Sequence, residues 1–106
     1  MTDQADLFTL SRQRDPWTSR AAGRSVADVS RSQEDVLSLL RRFGPATDEE
    51  IALRHAARVA LGEMKRQSPS GLRTRRSELQ RAGKIVATGR VRHTVSGRAT
   101  LEWAAL

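Results

Sequence analysis

The sequence predicts a mainly α-helical fold of the α+β class, with the helices first and a β-hairpin at the end of the chain. Three observations predict it. Apolar residues recur at helical spacing over residues 36–43. A serine followed by a proline at residues 68–69 is typical of a helix start. After Gly83 the apolar residues take the spacing of a strand instead of a helix.

The length of the chain, 106 residues, is enough for one domain. Residues 1–14 show no sustained period, so we predict a flexible N-terminal tail there and a single domain over residues 15–106. Asp15-Pro16 then begins a short N-terminal helix, because aspartate caps free backbone N–H groups and proline suits the first helical position. We expect Trp17 of this helix to pack into the main core.

Three core helices are predicted next. The first runs from Ser32, which can cap it with Asp35 three residues on, to Phe43, and Gly44-Pro45 ends it. Its predicted apolar face comprises Val36, Leu39, Leu40 and Phe43. The second begins at Thr47, which is followed by three acidic residues at the positive end of the helix dipole. Its predicted inner face comprises Ile51, Ala52, His55, Ala56 and Val59.

The third core helix is predicted to run from Pro69 to about Ala82, where Gly83 ends it. A rotation of about 100° per residue brings Leu72 and Leu79 onto one buried stripe, with Ala82 beside them. Arg75 and Arg76 flank this stripe. They either pack their stems and pair with Glu49 or Glu50, or contact a ligand.

Two strands are predicted after the third helix, Lys84–Thr88 and Ala99–Trp103, with a basic loop between them. An arginine-bearing loop at the tip of a hairpin can reach the phosphate backbone or a narrow minor groove of DNA. The alternative is a strand edge that charge protects from aggregation. The basic residues of this loop are Arg90, Arg92, His93 and Arg98, and protonation of His93 would tune affinity.

The positive charge of the chain is concentrated. The formal net charge is +7, yet residues 65–98 alone hold ten basic residues and one acid, Glu78, a net of +9. A concentrated basic stretch attracts polyanions, which predicts an anionic partner. The alternative is a solvated basic face, since 17 of the 19 basic residues are arginine.

The predicted exposed face of the third helix is short, polar and basic, which suits the major groove of double-stranded DNA. Small hydroxyls let a helix approach closely, and arginine can bind the N7 and O6 acceptors of guanine. The free N–H groups of the first turn, beside Ser68 and Ser70, also suit a phosphate. The face comprises Ser70, Thr74, Ser77 and Arg81, with Arg73 at its edge.

Composition argues against several other classes of function. The chain has no cysteine, which excludes disulfides, thiolate zinc sites and a thiol nucleophile. His55 and His93 lie far apart, and no carboxylate pair, nucleophile–base set or phosphate-binding glycine loop is visible. We therefore expect no enzyme activity, no catalytic residue, no metal or other cofactor and no small-molecule substrate. No apolar run reaches the roughly 18 residues of a membrane span, and no signal segment is visible, so we expect a cytoplasmic, nucleoid-associated protein.

Four stretches resemble the small winged helix-turn-helix DNA-binding proteins of actinobacterial phages and prophages. Together they span about residues 15–103, and the stretch from Gln67 to Gly83 is the most specific. The resemblance implies three core helices plus a wing, preceded by a short N-terminal helix, with 69–82 as recognition helix and 84–103 as wing. It assigns DNA contacts to Ser68, Ser70, Arg73 and Thr74 on the helix and to Arg90, Arg92 and Arg98 in the wing. The four stretches are DPWTSRAA, GPATDEEI, QSPSGLRTRRSELQRAG and TVSGRATLEW.

The sequence as a whole predicts a sequence-specific double-stranded DNA-binding protein, and we expect it to be a phage transcriptional regulator. We expect a homodimer, because winged-helix proteins commonly pair to match the two-fold symmetry of DNA operators. Its candidate apolar contacts are Trp17 and residues 103–106. The alternative is a protein–protein interaction module that uses its basic surface to bind a host or phage protein. Binding of structured RNA is a third reading.

Overall fold

The computed structural model describes the backbone of residues 26–106 and the side chains from residue 29 onward. The predicted α+β class, with a C-terminal hairpin, is confirmed over these residues. The predicted tail over 1–14, the helix after Asp15-Pro16 and Trp17 lie outside them. Six elements follow one another: α1 (Val26–Phe43), β1 (Ala46–Thr47), α2 (Asp48–Ala60), α3 (Pro69–Arg81), β2 (Ile85–His93) and β3 (Ala99–Ala105).

Helix α1 is longer than predicted. Its described part runs from Val26, so Ser32, the predicted start, lies inside the helix and is only 8% exposed. The carbonyl of Ser32 accepts a hydrogen bond from Gln67 Nε2 at 3.4 Å. Packing against this connector between α2 and α3 outweighs the preference of serine for a helix end. The predicted end of the helix is confirmed, since Gly44 has a φ of 88° and its N–H donates to the Leu40 carbonyl.

The core joins all three helices to the sheet. Leu37 is buried although it was not predicted, because α1 packs against α2 and α3 on two sides. Phe43 was predicted to lie on the apolar face of this helix. That prediction was wrong, since Phe43 is 43% exposed at the last turn. The core residues are Val36, Leu37, Leu39, Leu40, Ala46, Ile51, Leu72, Leu79, Ile85 and Trp103.

Two further positions differ from the prediction. Ala56 is exposed because it lines an open groove between α2 and α3, whereas Ile51 and His55 of the same helix are buried as predicted. Ala82 is exposed because it is the C-cap of α3, beyond the part of the helix that packs on the core. None of the helices within residues 26–106 has the length and apolar character that crossing a bilayer requires.

A complete capping box starts α2, at the Thr47 cap that the sequence predicts. Thr47 Oγ1 accepts from the Glu50 N–H at 3.2 Å, and the Thr47 N–H donates to Glu50 Oε1 at 3.1 Å. Thr47 is buried and also belongs to β1, a strand of two residues that the sequence did not predict. One residue therefore fixes both the start of α2 and the edge of the sheet.

Replacing Thr47 with alanine is expected to lower the free energy of unfolding by about 1 kcal/mol, because the Glu50 N–H loses its acceptor. Thr47→Ser keeps the hydroxyl and serves as the control. Urea unfolding followed by circular dichroism measures both variants. An alanine variant as stable as the serine variant would show that the cap contributes nothing.

The sheet is antiparallel, with β3 between β1 and β2. Trp103 lies at its centre, opposite Ala46 of β1 and Ala87 of β2. It is 5% exposed, so it is a core residue and not the dimer contact that the sequence suggested, whereas Leu106 is exposed.

The hairpin strands are longer than predicted and the loop is shorter. Gly89, interpreted as a turn, has a φ of 91° within an irregularity of β2 between Ala87 and Val91. The strand then continues to His93, so the loop comprises only residues 94–98. The prediction of a loop at Arg90, Arg92 and His93 was therefore wrong, because glycine marks bulges as well as turns.

Candidate nucleic-acid interface

Helix α3 presents the polar face that its sequence predicts. Leu72 and Leu79 anchor it to the core, and its first turn contains no acidic residue. Ser68 is the N-cap, and its Oγ accepts from the Gly71 N–H at 3.0 Å. Ser68 therefore has a structural role in addition to the DNA contact predicted for it. The outward side chains are Ser70, Arg73, Thr74 and Arg81, all exposed, and Ser77, which is half-buried.

Short hydrogen bonds fix the side chains of this face. Thr74 Oγ1 donates to the Ser70 carbonyl at 3.0 Å, and Arg81 donates to Ser77 Oγ at 3.1 Å. The hydroxyl oxygen of Thr74 keeps lone pairs that can accept from a base. Part of the face is thus held by hydrogen bonds, and its hydroxyls can still form hydrogen bonds with a ligand.

Arg75 and Arg76 are both bound to carboxylates, Arg75 within α3 and Arg76 across to α2. Arg75 is buried and binds both carboxylate oxygens of Glu78, at 2.7 and 3.0 Å. Arg76 binds both oxygens of Asp48, at 2.7 and 3.0 Å, and its guanidinium lies 4.2 Å from the centre of the Trp103 ring. The structural alternative therefore describes both arginines, although their partners are Glu78 and Asp48 and not Glu49 or Glu50.

Arg92 lies at the centre of an ion-pair network on the hairpin. Its guanidinium donates to Glu50 at 2.6 Å and to Glu102 at 2.7 Å, and Thr88 Oγ1 also donates to Glu102 at 2.9 Å. The pKa of Glu102 is lowered, first by the Thr88 hydroxyl and then by Arg92. The pKa of Glu50 is lowered, first by the Thr47 N–H and then by Arg92. Sequence reasoning missed this network.

The first turn of α2 holds both α3 and the hairpin. Three consecutive carboxylates each bind a different segment. Asp48 binds Arg76 of α3, Glu49 Oε1 accepts from the Val95 N–H at the hairpin tip at 3.2 Å, and Glu50 binds Arg92 of β2. This turn therefore ties the hairpin to α3, beside the core that both share.

An open cleft of about 640 Å³ separates α3 from the hairpin tip. Arg73 of α3 and Arg98 of the hairpin both line it, and among residues 29–106 neither guanidinium has a hydrogen-bond or ion-pair partner. The structure thus brings two predicted site residues from different elements to one cavity. The other lining residues are Asp48, Glu49, Ala52, Pro69, Thr94, Ala99 and Thr100.

The remaining predicted site residues lie on β2. The side chain of Arg90 is 71% exposed and lies 3.9 Å from Glu102, a weak contact. His93 is exposed, opposite Ala99. Neither lines the cleft. Sequence reasoning missed Thr100, which does, although strand alternation from Glu102 places it on the same face of β3.

The chain matches no protein-family model, no curated protein and no solved structure. Residues 26–106 also contain no group of three side chains that could hold a metal ion. The function is therefore argued from the geometry of α3 and the hairpin.

Proposed function

We propose that this protein binds double-stranded DNA sequence-specifically as a winged helix-turn-helix module. Helix α3 enters the major groove and the hairpin contacts the adjacent backbone or minor groove. The observation that carries the proposal is the pair of unpartnered guanidiniums, Arg73 and Arg98, on the two walls of one open cleft. Its proposed role is in transcriptional regulation.

The chemistry of the two walls differs. On α3, Arg73 stands beside the hydroxyls of Ser70 and Thr74, a set that can read guanine and a neighbouring base. On the hairpin, Arg98 and Arg90 carry charge without a rigid frame of hydrogen bonds, which suits phosphate oxygens. The proposal leaves out Arg92, because both sides of its guanidinium are bound to carboxylates.

Replacement of Arg73 and replacement of Arg98 are expected to affect DNA binding differently. Arg73→Ala should cost about 1–3 kcal/mol on the preferred site and reduce the preference over random DNA. Arg98→Ala should weaken binding to all sequences alike and reduce the slope of log K against log salt by about 1. Fluorescence anisotropy, with a site selected from a random DNA pool, measures both.

The matched control is Arg41→Ala, which removes an exposed arginine from α1, outside the cleft. It should retain the affinity and preference of the unmodified protein. Equal loss for Arg73→Ala on the selected site and on random DNA would contradict base reading. Absence of binding to any duplex at low salt would overturn the proposal as a whole.

A further inference from the structure

Helix α2 has a second apolar face that points away from the core. Its residues follow the spacing i, i+3, i+4, i+7, i+8, the pattern of a helix surface that packs on another helix. Leu53 is 66% exposed and Leu61, at the helix end, is 63% exposed. None of residues 29–106 buries this stripe, which we name the outer face. It comprises Leu53, Ala56, Ala57, Ala60 and Leu61.

A groove extends this surface toward α3. Its cavity measures about 670 Å³, and Ala56 and Ala60 belong to both the outer face and the groove. Leu72 and His55 lie deeper in the groove, and Arg66 lies on its wall. The small alanines between two leucines allow close approach of another helix over about 12 Å, the length of eight residues at 1.5 Å each. A continuous exposed apolar surface of this kind is typical of an interaction site.

The opposite border of the outer face is cationic. Arg54 and Arg58 follow each other by one turn, and their guanidiniums lie 5.8 and 5.4 Å from the centre of the exposed Phe43 ring. Arg42 lies 5.1 Å from the same ring. Glu63 pairs with Arg42 at 3.4 Å and with Arg58 at 3.5 Å, and Arg54 donates to the Gly44 carbonyl at 2.8 Å. Three arginines therefore share one acid, and this border keeps a net positive charge. With Arg66 on the groove side, the apolar surface has positive charge along both borders.

This charge argues against a second copy of the chain as the occupant. In an antiparallel two-fold pairing of α2, equivalent borders meet, so Arg54 and Arg58 would face the same two arginines of the partner. In a parallel pairing the helix dipoles repel each other. An acidic partner helix avoids both costs, because its carboxylates can bind the arginines while its apolar ridge covers the alanines.

We propose that the outer face and groove bind an amphipathic helix with acidic flanks from another protein. The outer face lies on α2, apart from the exposed face of α3, and the groove shares Ala52 and Pro69 with the cleft between α3 and the hairpin. The site gives the molecule a second function, recruitment, which does not depend on the DNA-binding proposal.

The test uses the full chain, labelled with ¹⁵N, and a synthetic helical peptide of about 15 residues. The peptide has leucines at i, i+3, i+4 and i+7 and glutamates elsewhere, and a second peptide replaces each glutamate with lysine. The acidic peptide is expected to shift the amide signals of residues 53–61 and 66–67 and to bind more weakly as salt is added. The lysine peptide is expected to leave these signals unchanged.

Two variants locate the site. Ala57→Glu and Leu53→Ser are each expected to weaken the acidic peptide by roughly tenfold or more. Leu106→Ser removes an exposed leucine elsewhere and should bind as the unmodified protein does. Circular dichroism and unchanged amide signals of the core residues check that the variants keep their fold.

Several results would overturn the proposal. They are no binding at all, equal binding of both peptides, or shifts on α3 and the hairpin instead of α2. Sedimentation that shows a dimer broken by Ala57→Glu would make a second copy the occupant. Signals of residues 1–25 that move in Leu53→Ser would show that the chain covers this face itself.

Discussion

The variant Trp103→Ala is expected to lose about 3–5 kcal/mol of unfolding free energy, a large part of the roughly 5–15 kcal/mol of a domain this size. Trp103 is the largest core residue, lies on the central strand and contacts the Arg76 guanidinium through its ring. Its removal leaves a cavity that β1 and β2 cannot both close. It also takes the aromatic surface from Arg76, which then binds Asp48 alone.

Urea unfolding followed by far-ultraviolet circular dichroism measures this loss. Leu101→Ala is the control, since it shortens a side chain on the same strand that is 47% exposed, and its effect should stay below about 1 kcal/mol. Trp103→Phe keeps a ring beneath Arg76 and should fall between the two. A loss for Trp103→Ala that is no larger than the loss for Leu101→Ala would contradict the placement of Trp103 in the core.

The second large effect concerns Arg92. Replacement by methionine leaves Glu50 and Glu102 without the cation that joins them, and Glu102 is almost fully buried. We expect a clear fall in the urea midpoint at pH 7, because a buried carboxylate that loses its partner destabilises a fold. Arg90→Met is the matched control, and its effect should be small because Arg90 is mostly exposed.

The pH dependence separates this network from simple packing. The pKa values of Glu50 and Glu102 are lowered in the folded protein, so the carboxylates favour folding when they are ionised. That contribution is complete above the usual value of 4.5 and is lost as the pH falls through the lowered values. The difference between the unmodified protein and Arg92→Met should therefore persist from pH 6 to 8 and shrink below about pH 4.5. A difference that does not change in acid would contradict the network.

Local signals in the sequence predicted most of the helical architecture. These signals act within a few residues, so they can be recognised before the fold is known. They are the cap at Thr47, the Ser68-Pro69 start and the glycines at 44 and 83. The start of α1 could not be read in this way, because Ser32 is held in mid-helix by a contact with Gln67, 35 residues away. The sequence did not predict β1 either, since a strand of two residues is too short to show a hydrophobic periodicity.

The sequence predicted which residues belong to the candidate site better than it predicted how those residues are arranged. Helical geometry was enough to place Arg73 and Thr74 on the exposed face of α3. The roles of Arg76 and Arg92 depend on carboxylates 28 and 42 residues away in the chain, and only the folded structure shows which cation meets which acid. Arg90 and Arg92 were placed in the loop and lie on β2, because Gly89 forms a bulge where a turn was expected, whereas Arg98 lies in the loop as predicted.

The acidic first turn of α2 separates two properties that a change in the chain could alter independently. If the protein binds DNA as proposed, residues on the exposed face of α3 would decide which bases are preferred, whereas Asp48, Glu49 and Glu50 tie that helix to the hairpin. A substitution in this single turn would widen or narrow the grip on a duplex and leave its sequence preference intact. Related chains that differ only in this turn would then differ in their affinity for DNA and prefer the same target sequence.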